Sequence, residues 1–388
     1  MQRSITPSAA RSASFAPPAL KMPAMPHIEA SVRAAGPGRP RPRYQSSRTR
    51  IVSGISLSFL WIATPSVTGG EADYAEQLAR YLVSRGFDVE RQEAAPGRFN
   101  LLARAGRPKV VFCTHLDTVP PFFGPREERE FVHGRGSCDA KGPALSMIEA
   151  GVELLAGGED RIGFLFTVGE ETDSLGAQVA NQRLAEPWAP RHTIVGEPTG
   201  NRFVSGHKGI FKARLEARGV AGHSSEPQGP SAIHELVQVL ERLLREDWGR
   251  HPRLGAGTLN VGEISGGVAA NVVADRAGAA LLLRTMETPA TTEEKLRRHL
   301  GPHVHLDCLY KNYGPTEFLV PEGLDSVPVA FGTDAPHLPR WGVPLLVGPG
   351  RIEDAHTDHE CIEKRAVEAA IATYVRTARL LFERAAAR

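Results

Sequence analysis

Lys109-Val-Val-Phe-Cys-Thr-His-Leu-Asp117 and Ile162-Gly-Phe-Leu-Phe-Thr-Val-Gly-Glu-Glu171 share one grammar: an unbroken apolar run closed by acids or histidine. Alternation would mark a strand with one wet face; an unbroken run marks a strand buried on both faces. Thr193–Val195 opens a third such run, closed by Gly196-Glu197. Pro143–Leu155 is apolar and helical in length. Glu71–Arg85 sets Ala75, Leu78, Ala79 and Leu82 on one helical face, with Gly86 as its stop. Phe87–Arg91 and Asn100–Ala103 read as short strands. This alternation predicts an α/β fold: a mostly parallel sheet with helices on both faces.

The pattern changes after Gly206. Lys208–Ala217 alternates as a strand, Pro230–Arg245 is an amphipathic helix, Thr258–Ile264 and Arg276–Thr285 are strands, and Thr292–Leu300 is helical. Strand–helix–strand–strand–helix–strand predicts an inserted ferredoxin-like α+β domain at 205–310, a lid or dimerisation module. It divides the main domain into 51–204 and 311–388, with Leu345–Val347 as a late strand and Ile362–Ala386 as the closing helix. Residues 1–50 carry nine basic side chains and one acid, Glu29, and lack apolar periodicity. They read as a disordered basic extension, either a targeting segment or a misassigned start. Ile51–Ile62 is too short to span a bilayer and reads as a first core helix.

In open α/β sheets, ligands bind beyond the carboxyl ends of the strands. His115 and Asp117 follow the first run, Glu170 and Glu171 the second, and Glu197 the third. Asp139-Ala-Lys-Gly142 and His356-Thr-Asp358 add further donors. One histidine after a strand is ordinarily a core residue; coincident clusters at three strand ends are not. Imidazoles and carboxylates together suit zinc, with cobalt or manganese as alternatives. Two such ions about 3.5–4 Å apart share a bridging carboxylate and activate water. A further carboxylate must then take the water's proton and return it to a leaving amine. Glu170 and Glu171 offer one base and one ligand.

In this order, the motifs resemble the metal-dependent amidohydrolases that include acetylornithine deacetylase, succinyl-diaminopimelate desuccinylase, aminoacylase and glutamate carboxypeptidase. The resemblance runs from about Ser66 to the C-terminus through HLDTVP (His115–Pro120), GRGSCDAKG (Gly134–Gly142), GEETDSLGA (Gly169–Ala177), VGEPT (Val195–Thr199), GVAGHSSEPQGPSAI (Gly219–Ile233) and GPG…AHTDHE (Gly348–Glu360). It implies His115, Asp139 and Glu197 on one metal and Asp139, Glu171 and His356 on the other, with Asp139 bridging. It implies Glu170 as general base, Asp117 as the carboxylate orienting His115, and a cis peptide at Asp139–Ala140. It also implies that His223 reaches the partner subunit's site to stabilise the oxyanion, and that Asn271 and Arg284 touch substrate. On residue type alone, His223 reads equally as a surface or capping residue, and Arg284 as a strand-end ion-pair partner.

Two stretches depart from the family's pattern: GTDAPHL (Gly332–Leu338), where relatives carry a GTSDARF-like run, and His359 before Glu360. Neither removes a ligand, so reaction type is better specified than substrate; His337 and His359 receive no catalytic role. The implied activity is hydrolysis of the amide bond of an N-acyl amino acid on two divalent ions, zinc first. N2-acetyl-L-ornithine deacetylation in arginine biosynthesis leads. The alternatives are succinyl-diaminopimelate desuccinylation, hydrolysis of lysine or ornithine from a carrier protein, and carboxypeptidase or dipeptidase action. The expected partners are this small molecule and a second copy through 205–310. Beyond residue 50 the chain carries 37 basic and 43 acidic residues, which argues against nucleic acid. No membrane partner is expected, and four scattered cysteines fit a reducing cytoplasm.

Overall fold

The computed structural model describes residues 60–309 and 312–386. The basic extension at 1–50 and most of the Ile51–Ile62 run lie outside the described residues. Residues 60–63 are helical, and Trp61 and Ile62 are buried.

Helix α1 (Ala72–Ser84) buries Tyr74, Ala75, Leu78, Ala79 and Leu82, the three-and-four spacing of one helical face. Gly86, with φ at +94°, turns the chain into a hairpin of β1 (Asp88–Ala95) and β2 (Arg98–Arg104). Strands β3 (Val110–His115) and β4 (Ile162–Thr167) are buried at every position. Between them, α2 (Lys141–Ala156) is buried on most of its surface. A Cβ on its Gly151 would lie 2.3 Å from the Phe164 ring, so glycine lets this helix lie directly on β4. Helix α3 (Leu175–Gln182) and β5 (His192–Val195) follow. Then come β6 (Gly209–Arg218), α4 (Ala232–Arg245), β7 (Thr258–Gly266), β8 (Arg276–Thr285), α5 (Pro289–Arg298) and β9 (Val304–Cys308). Strand β10 (Val343–Leu346) and α6 (Lys364–Ala386) complete the described chain.

The main sheet has the order β1-β2-β4-β3-β5-β10. Its last four strands are parallel, and β2 runs against both neighbours. Successive residues of β3 point to opposite cores. Val110 and Phe112 join α1, α2 and α6, whereas Val111 and Cys113 join α3, Trp188 and Trp341. Helices therefore cover both faces, as the unbroken apolar runs require.

The second sheet has the order β7-β8-β6-β9, antiparallel throughout. With α4 and α5 it forms the expected ferredoxin-like unit with its own core. Phe211, Ala213, Leu215 and Ala217 of β6 point into that core; Ile210, Lys212, Arg214, Glu216 and Arg218 occupy the other face. Helix α5 starts three residues before the expected Thr292. Thr288 caps it by accepting from the Thr291 amide at 3.2 Å, and Pro289 suits the first turn. Helix α6 starts at Lys364, later than expected, because Cys361–Glu363 instead pairs with Phe131–His133. No described helix is long and apolar enough to cross a membrane.

Candidate active site

The carboxyl ends of β3, β4 and β5 deliver His115, the Gly169–Glu171 turn and Glu197 to one place. Asp139 enters from the loop before α2, and His356 from the loop before α6. The two oxygens of Asp139 serve different imidazoles: Oδ1 is 2.9 Å from His115 Nε2, and Oδ2 is 3.3 Å from His356 Nε2. Glu197 stands 3.8 Å from His115 Nε2, and Glu171 is 3.0 Å from His356 Nε2. Two triads thus share one carboxylate. The peptide Asp139–Ala140 is cis, and His356 takes a left-handed backbone, φ +63°, uncommon for a residue with a side chain.

Asp117 faces His115 with both its carbonyl and its carboxylate. His115 Nδ1 donates to the Asp117 backbone carbonyl at 2.9 Å, while the carboxylate lies 3.6 Å away. That carboxylate also accepts from the amides of Gly169 (3.0 Å), Glu170 (3.1 Å) and Glu171 (3.2 Å), and from the Thr68 hydroxyl (2.8 Å). It therefore builds the turn that presents both glutamates.

The cluster concentrates negative charge away from water. Burial pushes Glu197 up to about 8, and nearby Asp139 and Glu171 add to it against the pull of His115. Burial likewise raises Glu170 well above the carboxylate range, with Glu197 and Asp334 adding to the shift. Hydrogen bonds to Asp139 and Glu171 push His356 up to about 10. Burial alone would lower His115, but its bonds to the surrounding carboxylates outweigh that and raise it.

Asp139, Glu170, Glu171, Glu197 and His356 open onto a cavity of about 230 Å³ whose far wall is the insert. Ile210, Lys212 and Arg284 supply that wall, and Tyr313, Thr333 and His337 supply one side. Arg284 Nη1 is buried with no hydrogen-bond partner among the described residues. His223 and Asn271 do not join this cavity. They lie on neighbouring exposed segments, where Gly222–His223 pairs with Val272–Val273 and His223 Nδ1 meets the Ser225 hydroxyl at 2.7 Å.

Residues 205–307 match the M20 peptidase dimerisation domain. Over 322 residues, 79% of this chain and 80% of the relative, the sequence is 36% identical to a peptidase M20 domain-containing protein of Schizosaccharomyces pombe. The chain belongs to the M20 peptidase family. A probable carboxypeptidase of Aspergillus clavatus is 34% identical over 367 residues, 84% of this chain and 87% of that one. The M20 family metallo-carboxypeptidase Sso-CP2 of Sulfolobus solfataricus shares the fold, with a TM-score of 0.68 over 84% of this chain and 99% of its own, at 16% identity.

The donor set fits the metal chemistry of an M20 peptidase. His115, Asp139 and Glu171 place ligand atoms within 4.8 Å of one another, and two imidazoles with several carboxylates suit divalent cations. Three supporting residues went unassigned in the sequence. Glu360, fully buried, accepts from the amides of Cys138 (2.9 Å) and Asp139 (3.0 Å) and from Arg135 (2.8 Å), fixing the backbone that carries Asp139. Asp334 is buried behind the site, takes the Thr167 hydroxyl at 2.6 Å, and is raised by burial to about 6. Lys212 lines the cavity from the insert. An acid inside an apolar stretch, as in Phe331-Gly-Thr-Asp-Ala335, was the available signal for Asp334.

Proposed function

We propose that this chain hydrolyses the amide bond joining an acyl group to an amino acid with a free α-carboxylate, acting as a metal-dependent carboxypeptidase or N-acyl amino acid hydrolase. The observation that carries this reading is the Arg284 guanidinium. It shares a cavity with Glu170 and His356, and one buried donor has no hydrogen-bond partner among the described residues. A buried unpaired donor is costly, and a carboxylate is the group that a guanidinium fork best receives.

His115, Asp139 and Glu197 would hold one divalent ion, and Asp139, Glu171 and His356 a second, zinc first with cobalt or manganese as alternatives. Bound there, such ions supply Lewis-acid polarisation of a carbonyl and acidify water. Glu170 takes the proton from the attacking water as its oxygen bonds to the acyl carbon. It then delivers that proton to the amine nitrogen as the carbon–nitrogen bond breaks. Burial and the nearby Glu197 and Asp334 raise its pKa, which favours the protonated form needed in the second half. Asp117 holds Glu170 and Glu171 by their amides. In this reading the dimerisation domain pairs two copies, and each His223 serves the other copy's oxyanion. A cytoplasmic location fits the four free cysteines.

The Aspergillus relative's name favours peptides over acetylated metabolites. N2-acetyl-L-ornithine belongs to the same chemical class and stays within the proposal as its narrower form. The test is a panel with added Zn²⁺ or Co²⁺: N-acetylornithine, N-succinyl-diaminopimelate, and dipeptides as free acids and as C-terminal amides. Free acids should be cleaved and amides spared. Equal cleavage of amides would remove the role given to Arg284.

A further inference from the structure

We propose that Asp334 positions the base: it grips the turn that presents Glu170 and Glu171 and, through Thr333 beside it, ties that turn to the insert's entry, so that the two move together. This deepens the role proposed above for Glu170 and rests on it. The Asp334 carboxylate, 2% exposed, accepts from the Thr167 hydroxyl at 2.6 Å. Thr167 closes β4, three residues before Glu170. The Ser174 hydroxyl faces the same carboxylate from the turn's far end, where the Ser174 amide closes the turn on the Gly169 carbonyl at 2.7 Å. Burial raises Asp334 to about 6 and those two hydroxyls draw it down, so at neutral pH it stays an acceptor. Asp117 thus holds the turn's amides from the end of β3, while Asp334 holds its two ends from the segment after the insert. Thr333, the preceding residue, bonds elsewhere. Its hydroxyl lies 3.3 Å from Nε2 of the fully buried His207. His207 Nδ1 donates to the Lys208 carbonyl at 2.9 Å and burial lowers its pKa to about 4, so Nε2 is bare and Thr333 donates to it. His207 ends the strand Phe203–His207, and β6 opens the insert two residues later. The insert's exit converges on the same segment. Tyr313 exchanges backbone hydrogen bonds with Ile210 at 3.0 and 3.1 Å, and its ring stands edge-on to His207 and His337, with centres 5.8 and 5.2 Å away. Gly332 leaves room for the Tyr313 hydroxyl, which a Cβ would strike. Residues 332–337 therefore join both ends of the insert to the turn that carries the base.

The experiment measures hydrogen–deuterium exchange on the full chain loaded with Zn²⁺ and free of substrate, beside zinc content and kcat and KM on the free-acid dipeptides of the panel above. Asp334→Ala should speed exchange across residues 167–174 about tenfold or more, the worth of a hydrogen bond to a charged group. Its kcat should fall about tenfold to a hundredfold, the effect of a misplaced base, with KM within about threefold and zinc content unchanged. Asp334→Asn should restore most of kcat, because its amide oxygen still accepts from Thr167. Thr333→Val leaves Asp334 in place and should speed exchange in both 203–207 and 167–174; it decides the matter where Asp334→Ala does not fold. Three results overturn the inference: no change at 167–174 in Asp334→Ala, a change confined to 203–207 in Thr333→Val, or faster exchange spread evenly over the chain with zinc lost alongside kcat. Exchange needs no turnover, so failure to cleave any free acid would strike at the proposed function and leave the exchange result to decide this one.

Discussion

Glu360→Ala should cost more stability than removal of any exposed charge in this chain, and it should loosen the metal site as well. Glu360 is fully buried and makes three hydrogen bonds, to the amides of Cys138 and Asp139 and to the guanidinium of Arg135. Arg135 is only 2% exposed; beyond Glu360 it meets the Pro121 carbonyl at 3.2 Å and stacks on Phe123, 5.1 Å from the ring centre. Breaking one side of a buried ion pair costs about 3–5 kcal/mol, because the other charge stays behind uncompensated. Each orphaned buried amide adds about 1–3 kcal/mol, less wherever water enters the space left behind. These contributions overlap, so the lower end is the safer sum: about 5 kcal/mol, a large share of the roughly 5–15 kcal/mol that holds a domain folded. Urea denaturation in zinc-free buffer reads the loss, and calorimetric titration with Zn²⁺ reads the site. Arg135→Met alone should cost about 3–5 kcal/mol, and the double variant less than the sum of the singles, because no lone charge then remains. A loss below about 2 kcal/mol with unchanged Zn²⁺ affinity would refute the claim that this pair holds the Asp139 backbone.

Glu170→Gln should keep its full metal content while kcat falls about 10²–10⁴-fold, the usual worth of a positioned base; loss of metal instead would mean that Glu170 and Glu171 have exchanged roles. In metal-stripped protein, Glu197 and His356, raised to about 8 and about 10, bind protons more tightly folded than unfolded. Their contribution is therefore full below their ordinary pKa values and lost as pH climbs through the raised ones. Zn²⁺ replaces those protons, so the Tm gain on adding Zn²⁺ should widen from about pH 6 to pH 8 by scanning calorimetry, and a narrowing gain would contradict the assignment. Mixing His223→Ala protein with Glu170→Ala protein should restore part of the activity through mixed dimers; no recovery at equilibrium would mean that His223 does not act across subunits.

Which parts of the site could be read in the letters follows from how far apart their partners lie. Each ligand or base candidate at a strand end follows its own apolar run directly, so local burial and local chemistry coincide: VVFCT leads straight to His115, and FLFTVG to Glu170 and Glu171. The supporting bonds have no such locality. Asp117 answers amides 52 to 54 residues later, and Arg135 answers an acid 225 residues later. Nothing local distinguishes either acid from a surface carboxylate, so the part Asp117 plays under the Gly169–Glu171 turn could not be read beside its part at His115. Lys212 and Arg284 show a third kind of distance. They share a face only because β6 and β8 pair in one particular register, and a one-residue slip would turn either side chain into the insert's core. His223 shows a fourth, since within one chain it faces solvent. The proposed ligands and base that follow β3, β4 and β5 are thus set by short words at strand ends, while the cations facing those words are set by strand register in another sheet. If Arg284 receives the substrate as proposed, substitutions on β6 and β8 should change which substrate is held while leaving the strand-end cluster of the main sheet untouched.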